Sequence, residues 1–319
     1  MTTYKCSIIA NPEGNAWKFA SEVYKILRAR NEKFELNKVF IQKFRDGEIK
    51  PKIEKNVRRR NCFFIHDSSL NPNEWFLQLA LINEILRNSS AQEITDVFPY
   101  LKFGRQDRKD ESRVPISSKV IAKSIERDAN RVLTMDVHNP SIGGFYNIPF
   151  DNLYSFLSVI DYLKRNCPYV LENVVIMSPD VGGAKRARSF AKRAGIKKIV
   201  VGDKNREEDG EVESIQIIGD VKGKNVLMVD DIIDSGNTLI QACDACKKQG
   251  AEKIYAYATH GLFTEGTERL GCFDLIIVGD TFPNPNLGDG KIKVVSFADL
   301  FAEAIYRINE GESLSALFD

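Results

Sequence analysis

NVLMVDDIIDSGNTLIQACDACKKQG, residues 225–250, is the stretch whose reading decides the fold. It opens on an apolar run, residues 226–229, with the composition of a buried strand, and the run ends in two adjacent aspartates, Asp230 and Asp231. The polar stretch Asp234-Ser235-Gly236-Asn237-Thr238 comes next and leads into an amphipathic helical pattern. Strand, glycine-bearing loop, then helix is half of a βαβ unit. Gly236 lets the backbone come close to a bound group. Backbone N–H groups at the helix start, with the Ser235 and Thr238 hydroxyls, make an anion cradle. The aspartates repel phosphate and suit hydroxyl groups or a bridging divalent cation. A plain helix N-cap would account for the residue types. It would leave paired acids at the end of an apolar strand without a partner, which is costly. A cradle beside paired acids fits a sugar phosphate.

The same pattern runs outward. CSIIA from Cys6, NCFFIHD from Asn61, ITDVFPY from Ile94 and RVLTMDV from Arg131 read as buried strands. So do NVVIMSP from Asn173, KKIVVGD from Lys197, KIYAYATH from Lys253 and FDLIIVGD from Phe273. Helical spacing separates most of them, with Ala16, Phe19, Ala20, Val23, Ile26 and Leu27 on one helix and Trp75, Leu79, Ile82 and Leu86 on another. The alternation predicts an α/β protein with largely parallel sheets. A boundary near residues 149–152 divides it into halves at 1–149 and 150–319. No duplication of the halves shows in the pattern. Several strands end in acids or histidine, at Asp136 to His138, at Asp180 and at Asp230 to Asp231, where open α/β sheets bind ligands.

Composition narrows the function. Of 319 residues, 45 are Lys or Arg and 44 Asp or Glu, for a net charge of +1. That balance argues against a nucleic-acid binder, which shows a basic excess. No apolar run approaches the ~18–20 residues of a membrane span, and no signal peptide is visible at the N-terminus. The six cysteines are scattered and suggest no disulfide framework, so a reducing cytoplasm is expected. Cys243 and Cys246 share a helix face with Leu239 and read as buried structural residues. The basic run from Lys185 to Lys198 carries an apolar stripe and reads as a helix with one cationic face.

VLMVDDIIDSGNTL resembles the ribose 5-phosphate loop shared by type I phosphoribosyltransferases and ribose-phosphate pyrophosphokinases. Three segments are similar to the second family: FRDGEIKPKIEKNVRRRN from Phe44, PYLKFGRQDRKDESRVPISSKVIAKSI from Pro99 and VLTMDVHNPSIGGFYNIPFDNLYS from Val132. MSPDVGGAKRARSFAKRAG, KIYAYATHGLFTEGTERL and the C-terminal SFADLFAEAIYRINEGESLSALFD agree, so the resemblance runs from about residue 40 to the end. It implies two type I phosphoribosyltransferase-like domains, each a mainly parallel sheet flanked by helices. The activity implied is transfer of pyrophosphate from ATP to ribose 5-phosphate. By resemblance, Phe44, Asp46, Glu48, Arg105, Gln106 and Asp110 contact ATP, His138 binds the Mg²⁺ carried with ATP, and Asp180 stands at a second metal. Asp230, Asp231, Asp234, Ser235, Gly236, Asn237 and Thr238 hold ribose 5-phosphate. Lys204 and Arg206, in IVVGDKNREEDGEVESI from Ile199, form the catalytic pair. The family also implies homo-oligomers, dimers assembling into hexamers, in which the segment at Phe44 reaches a neighbour's ATP site.

The chain departs from the family pattern in places. Gly236 precedes Asn237, where the family places its glycine one position later. The catalytic loop carries Glu207, Glu208 and Asp209 where the family is often basic. Ser141-Ile142-Gly143-Gly144 replaces a segment linked to phosphate and ADP effectors, which leaves effector control open. The alternative function is a catalytically silent regulatory subunit. Retention of Lys204, Arg206, His138 and Asp231 argues against it.

Overall fold

The structure is a computed structural model that describes residues 5–205, 214–284, 287 and 290–318. The chain forms two compact units. The first comprises Met1–Tyr154, Thr281–Pro283 and Phe297–Asp319, and the second Ser155–Asp280 and Asn284–Ser296. The units are therefore not two consecutive halves: the division falls at 154/155 rather than 149/150, and the C-terminal segment groups with the first unit.

In the first unit, β1 (Cys6–Ala10), α1 (Trp17–Arg30), β2 (Phe34–Lys43), β3 (Ile49–Ile53), β4 (Asn61–Ile65), α2 (Pro72–Asn88), β5 (Glu93–Phe98), α3 (Ser117–Glu126), β6 (Arg131–Met135) and β7 (Phe150–Leu153) follow in order. The strands lie in the order β3-β2-β1-β4-β5-β6-β7, with every pairing parallel except β2 with β3. β1 is buried along its whole length, as expected of an apolar strand covered on both faces. Trp75, Leu79, Ile82 and Leu86 of α2 are buried at the spacing read from sequence, as are Phe19, Ala20, Val23 and Leu27 of α1.

The second unit contains α4 (Phe156–Asn166), β8 (Val174–Ser178), α5 (Ala184–Ala194), β9 (Ile199–Asn205), β10 (Ser214–Ile218), β11 (Asn225–Ile233), α6 (Asn237–Lys248), β12 (Ile254–Gly261), β13 (Leu275–Gly279) and β14 (Ile292–Val295). Its strand order is β10-β9-β8-β11-β12-β13-β14. Adding seven to each strand number of the first sheet gives this order, and the antiparallel pair again sits at the edge, β9 with β10. The chain then returns to the first unit as α7 (Ala298–Glu310), whose Phe301 meets Phe19 of α1 edge-on at 5.4 Å.

All nine strands expected from sequence are present. The additional ones, β2, β3, β7, β10 and β14, lie at or next to the sheet edges. There one face is half-exposed, as in the mixed burial of β2 and β3, and the apolar signal is diluted. Among the described residues, no helix is long and apolar enough to cross a membrane. In each sheet the strand order reverses beside the first strand, between β1 and β4 and between β8 and β11. Such a switch point opens a crevice at the carboxyl ends of the strands.

Candidate active site

The crevice of the second unit is lined by the loops after β8 and β11. β11 carries Asp230 and Asp231 near its carboxyl end, and Asp231 is buried, 3% exposed. Nη1 of Arg186, from the first turns of α5, lies 3.0 Å from Oδ1 of Asp230 and 3.0 Å from Oδ1 of Asp231. The Asp231 N–H donates to Oδ1 of Asp230 at 2.8 Å. Burial, then the charge of Asp231, pushes the Asp230 carboxyl well above the usual carboxylate range, while Arg186 pulls it back. The partner that paired acids require is therefore an arginine.

Beyond the acids, the loop turns through Gly236, whose φ of +80° is left-handed. That conformation strains any residue with a side chain, and a Cβ there would also sit 2.7 Å from Cδ2 of Leu270. Gly236 is the N-cap of α6 and has no side chain with which to cap it. An uncapped helix start presents N–H groups and the positive end of the helix dipole. Side chains from the following segment hold the loop. The Thr264 hydroxyl donates to Oδ1 of Asp234 at 2.6 Å, and Nη2 of Arg269 donates to Oδ1 of Asn237 at 2.7 Å. The Asn237 N–H reaches Oγ of Ser235 at 3.4 Å. Thr238 stands in the first turn of α6.

On the neighbouring loop, Asp180 follows β8. Its Oδ1 accepts the Gly183 N–H at 2.8 Å, and its carbonyl accepts the Ser178 hydroxyl at 2.6 Å. A Cβ on Gly183 would fall 2.6 Å from Oγ of Ser178, so glycine is what lets α5 start so close to the strand. Lys204 lies in β9, its backbone opposite Ile215 of β10. Arg206 and the acidic residues 207–209 lie outside the described residues.

The nucleotide candidates lie in the first unit, in two groups. Phe44, Asp46 and Glu48 form the turn of the β2–β3 hairpin. The Phe44 N–H donates to the Glu48 carbonyl at 2.8 Å, and the Glu48 N–H to Oδ1 of Asp46 at 3.1 Å. Phe44 is 43% exposed. Arg105, Gln106 and Asp110 belong to the loop after β5 and are exposed. That loop is tied to the His138 segment, since Nδ2 of Asn139 donates to Oδ2 of Asp107 at 2.6 Å. His138 is exposed and follows Asp136, a buried non-glycine residue held at φ +38°. Backbone strain of this kind concentrates at functional sites. The fold thus brings Arg105, Gln106, Asp110 and His138 to one end of the sheet. It does not bring the hairpin to them: β2 and β5 are three strand spacings apart, about 14 Å.

Among the described residues, no group of three or more His, Cys, Asp and Glu is arranged to hold a metal. His138 and Asp180 stand in different units.

Arg186 was missed in the sequence because it lies within a basic run. One signal marks it: it precedes the buried Phe190 by four residues, which turns it toward the sheet. Thr264 and Arg269 left no such signal.

A doubly wound sheet with a glycine-led helix start beside a half-buried and a buried aspartate is the arrangement of an α/β protein that binds anionic ligands at its switch point. A family profile described as the N-terminal domain of ribose phosphate pyrophosphokinase matches residues 13–128, and one described as the phosphoribosyl synthetase-associated domain matches residues 210–319. The chain is 43% identical to a ribose-phosphate pyrophosphokinase of Chlorobaculum tepidum over 87% of its length and 86% of the relative's. It is 40% identical to that of Helicobacter hepaticus over 94% and 95%. The crystal structure of phosphoribosylpyrophosphate synthetase from Mycobacterium smegmatis superposes with a TM-score of 0.85 at 28% identity, covering 96% of this chain and all of that one. The chain belongs to the ribose-phosphate pyrophosphokinase family.

Proposed function

We propose that the protein transfers the β,γ-pyrophosphoryl group of ATP to the anomeric hydroxyl of ribose 5-phosphate, giving 5-phosphoribosyl 1-pyrophosphate and AMP. The observation that carries this reading is the pairing, in a chain of this family, of the braced acids Asp230 and Asp231 with the uncapped start of α6. The anomeric oxygen attacks the β-phosphorus, the bond from that phosphorus to the oxygen retained by AMP breaks, and the hydroxyl proton is lost. Such a transfer needs in-line placement and neutralisation of spreading negative charge.

Asp234, Ser235, Gly236, Asn237 and Thr238 take the 5-phosphate at the helix start. Asp230 and Asp231 accept hydrogen bonds from the ribose hydroxyls and fix the anomeric oxygen in line. Lys204 and Arg206 stabilise the charge of the transferring group. Phe44 stacks on adenine, with Asp46 and Glu48 accepting from its edge, and Arg105, Gln106 and Asp110 contact the rest of the nucleotide. The separation of the hairpin from the Arg105 loop within one chain supports a homo-oligomer in which one copy's hairpin serves another's ATP; the family resemblance makes that oligomer dimer-based and hexameric. His138 would hold the Mg²⁺ carried with ATP, and Asp180 a second metal ion. Magnesium is held by one or two protein side chains together with substrate phosphates and water, so sparse ligands suit it. When bound, it supplies neutralising charge to the phosphates. ATP and a sugar phosphate as substrates go with a cytoplasmic location.

Incubating the purified protein with ATP, Mg²⁺ and ribose 5-phosphate tests the reading. AMP and phosphoribosyl pyrophosphate are expected in equal amounts. Folded protein that forms no AMP overturns it.

A further inference from the structure

We propose that Arg186 is a positioning residue for the sugar: it draws Asp230 and Asp231 to one point, so that both carboxylates face the ribose hydroxyls together. The inference rests on the reaction proposed above and adds a residue to it.

Consecutive residues of a strand send their side chains to opposite faces, and two neighbouring carboxylates repel each other as well. Asp230 and Asp231 should therefore diverge. Instead a single nitrogen, Nη1 of Arg186, stands 3.0 Å from one oxygen of each. The brace is inflexible for three reasons. The Arg186 side chain is only 19% exposed. Its helix is anchored by the buried Ala187, Phe190 and Ala191. The start of that helix is held against β8 at Gly183, where no side chain fits. The Asp231 N–H adds a second tie to the same oxygen of Asp230. A planar guanidinium, always charged, is suited to holding two carboxylates in fixed directions, and a lysine ammonium does this less well. These contacts all run to the two acids assigned to the sugar, so the role belongs to sugar binding.

Steady-state kinetics of the full-length chain test this, comparing wild type with Arg186→Gln, Arg186→Lys and Arg188→Gln. Arg188 is exposed on the same helix and controls for loss of one positive charge. In Arg186→Gln, KM for ribose 5-phosphate should rise roughly tenfold to a hundredfold, the value of a hydrogen bond to a charged group. KM for ATP should stay at the wild-type value. Arg186→Lys should recover part of the loss, and Arg188→Gln should match wild type. A wild-type KM for ribose 5-phosphate in Arg186→Gln overturns the inference, as does a fall in kcat alone. If Arg186→Gln fails to fold, Arg186→Lys decides: a raised KM for the sugar supports the role, and a wild-type KM overturns it. Inactive wild type overturns the reaction, and this inference with it; active wild type beside an unaltered Arg186→Gln overturns the inference alone.

Discussion

The loop after β4 and the loop after β11 occupy the same place in two sheets of identical strand order, yet the helices they lead into start differently. In the first unit Asp67 is satisfied from within: it accepts the Asn15 N–H at 2.7 Å, the Ser69 N–H at 2.9 Å and the Ser69 hydroxyl at 2.5 Å. The helix that follows, α2, is closed by its own sequence. Asn71 caps it by accepting the Glu74 N–H at 3.0 Å, and Pro72 occupies its first turn. In the second unit the acids are held by an arginine, and α6 starts from a glycine that caps nothing. The topology creates a crevice twice, and the side chains at its mouth differ. Polar groups buried in the first unit are paired with one another. His66 shares Asp96 with Asn83, at 2.9 and 2.8 Å, and its ring stacks on Phe98.

The contrast can be broken most forcefully at Lys204. If the chemistry belongs to the second unit, Lys204→Ala should lower kcat roughly a thousandfold, as loss of a charge-stabilising cation does in phosphoryl transfer. The far-ultraviolet circular dichroism should be unchanged, and wild-type turnover would remove the second unit's claim.

The helix starts themselves come next. Gly236→Ala places a Cβ against Leu270 at a left-handed position. It should cost about 1–3 kcal/mol of stability and raise KM for ribose 5-phosphate roughly tenfold. The mirror experiment, Asn71→Ala, should cost about 1 kcal/mol in a denaturant titration and leave kcat/KM for both substrates intact. A kinetic defect in Asn71→Ala would mean that the first crevice is also in use.

The smallest expected effect concerns pH. Burial holds the His66 pKa below its ordinary value of 6.5, against the pull of Asp96. A lowered folded pKa means stability that is full above 6.5 and is lost as pH falls through the folded value. Both tryptophans, Trp17 and Trp75, lie in the first unit, so their fluorescence reports on it. Thermal unfolding followed in this way should weaken more steeply below pH 6.5 in wild type than in His66→Gln. Parallel curves would mean that this buried pair is not what makes the first unit acid-sensitive.

The sequence by itself determined the central strands, the buried faces of α1 and α2, and the loop from Asp230 to Thr238. These are local properties: an uninterrupted apolar run, a spacing of three or four residues, a glycine between hydroxyls. The segments at Phe44, Arg105 and His138 were legible only as a resemblance, because a charged loop carries no periodicity to read. Tertiary structure alone decided the rest. The edge strands β3, β7, β10 and β14 gain their place from a single neighbour rather than from an apolar pattern. The return of α7 to the first unit depends on packing across nearly the whole chain, Phe301 against Phe19. The repeated strand order is a relation between backbones that the two half-sequences do not display. Arg186 meets Asp230 from 44 residues away, and Asp231 beside it. Only folding places a cation of one helix between two acids of a neighbouring strand, because that contact depends on how the helix packs on the sheet rather than on any spacing along the chain.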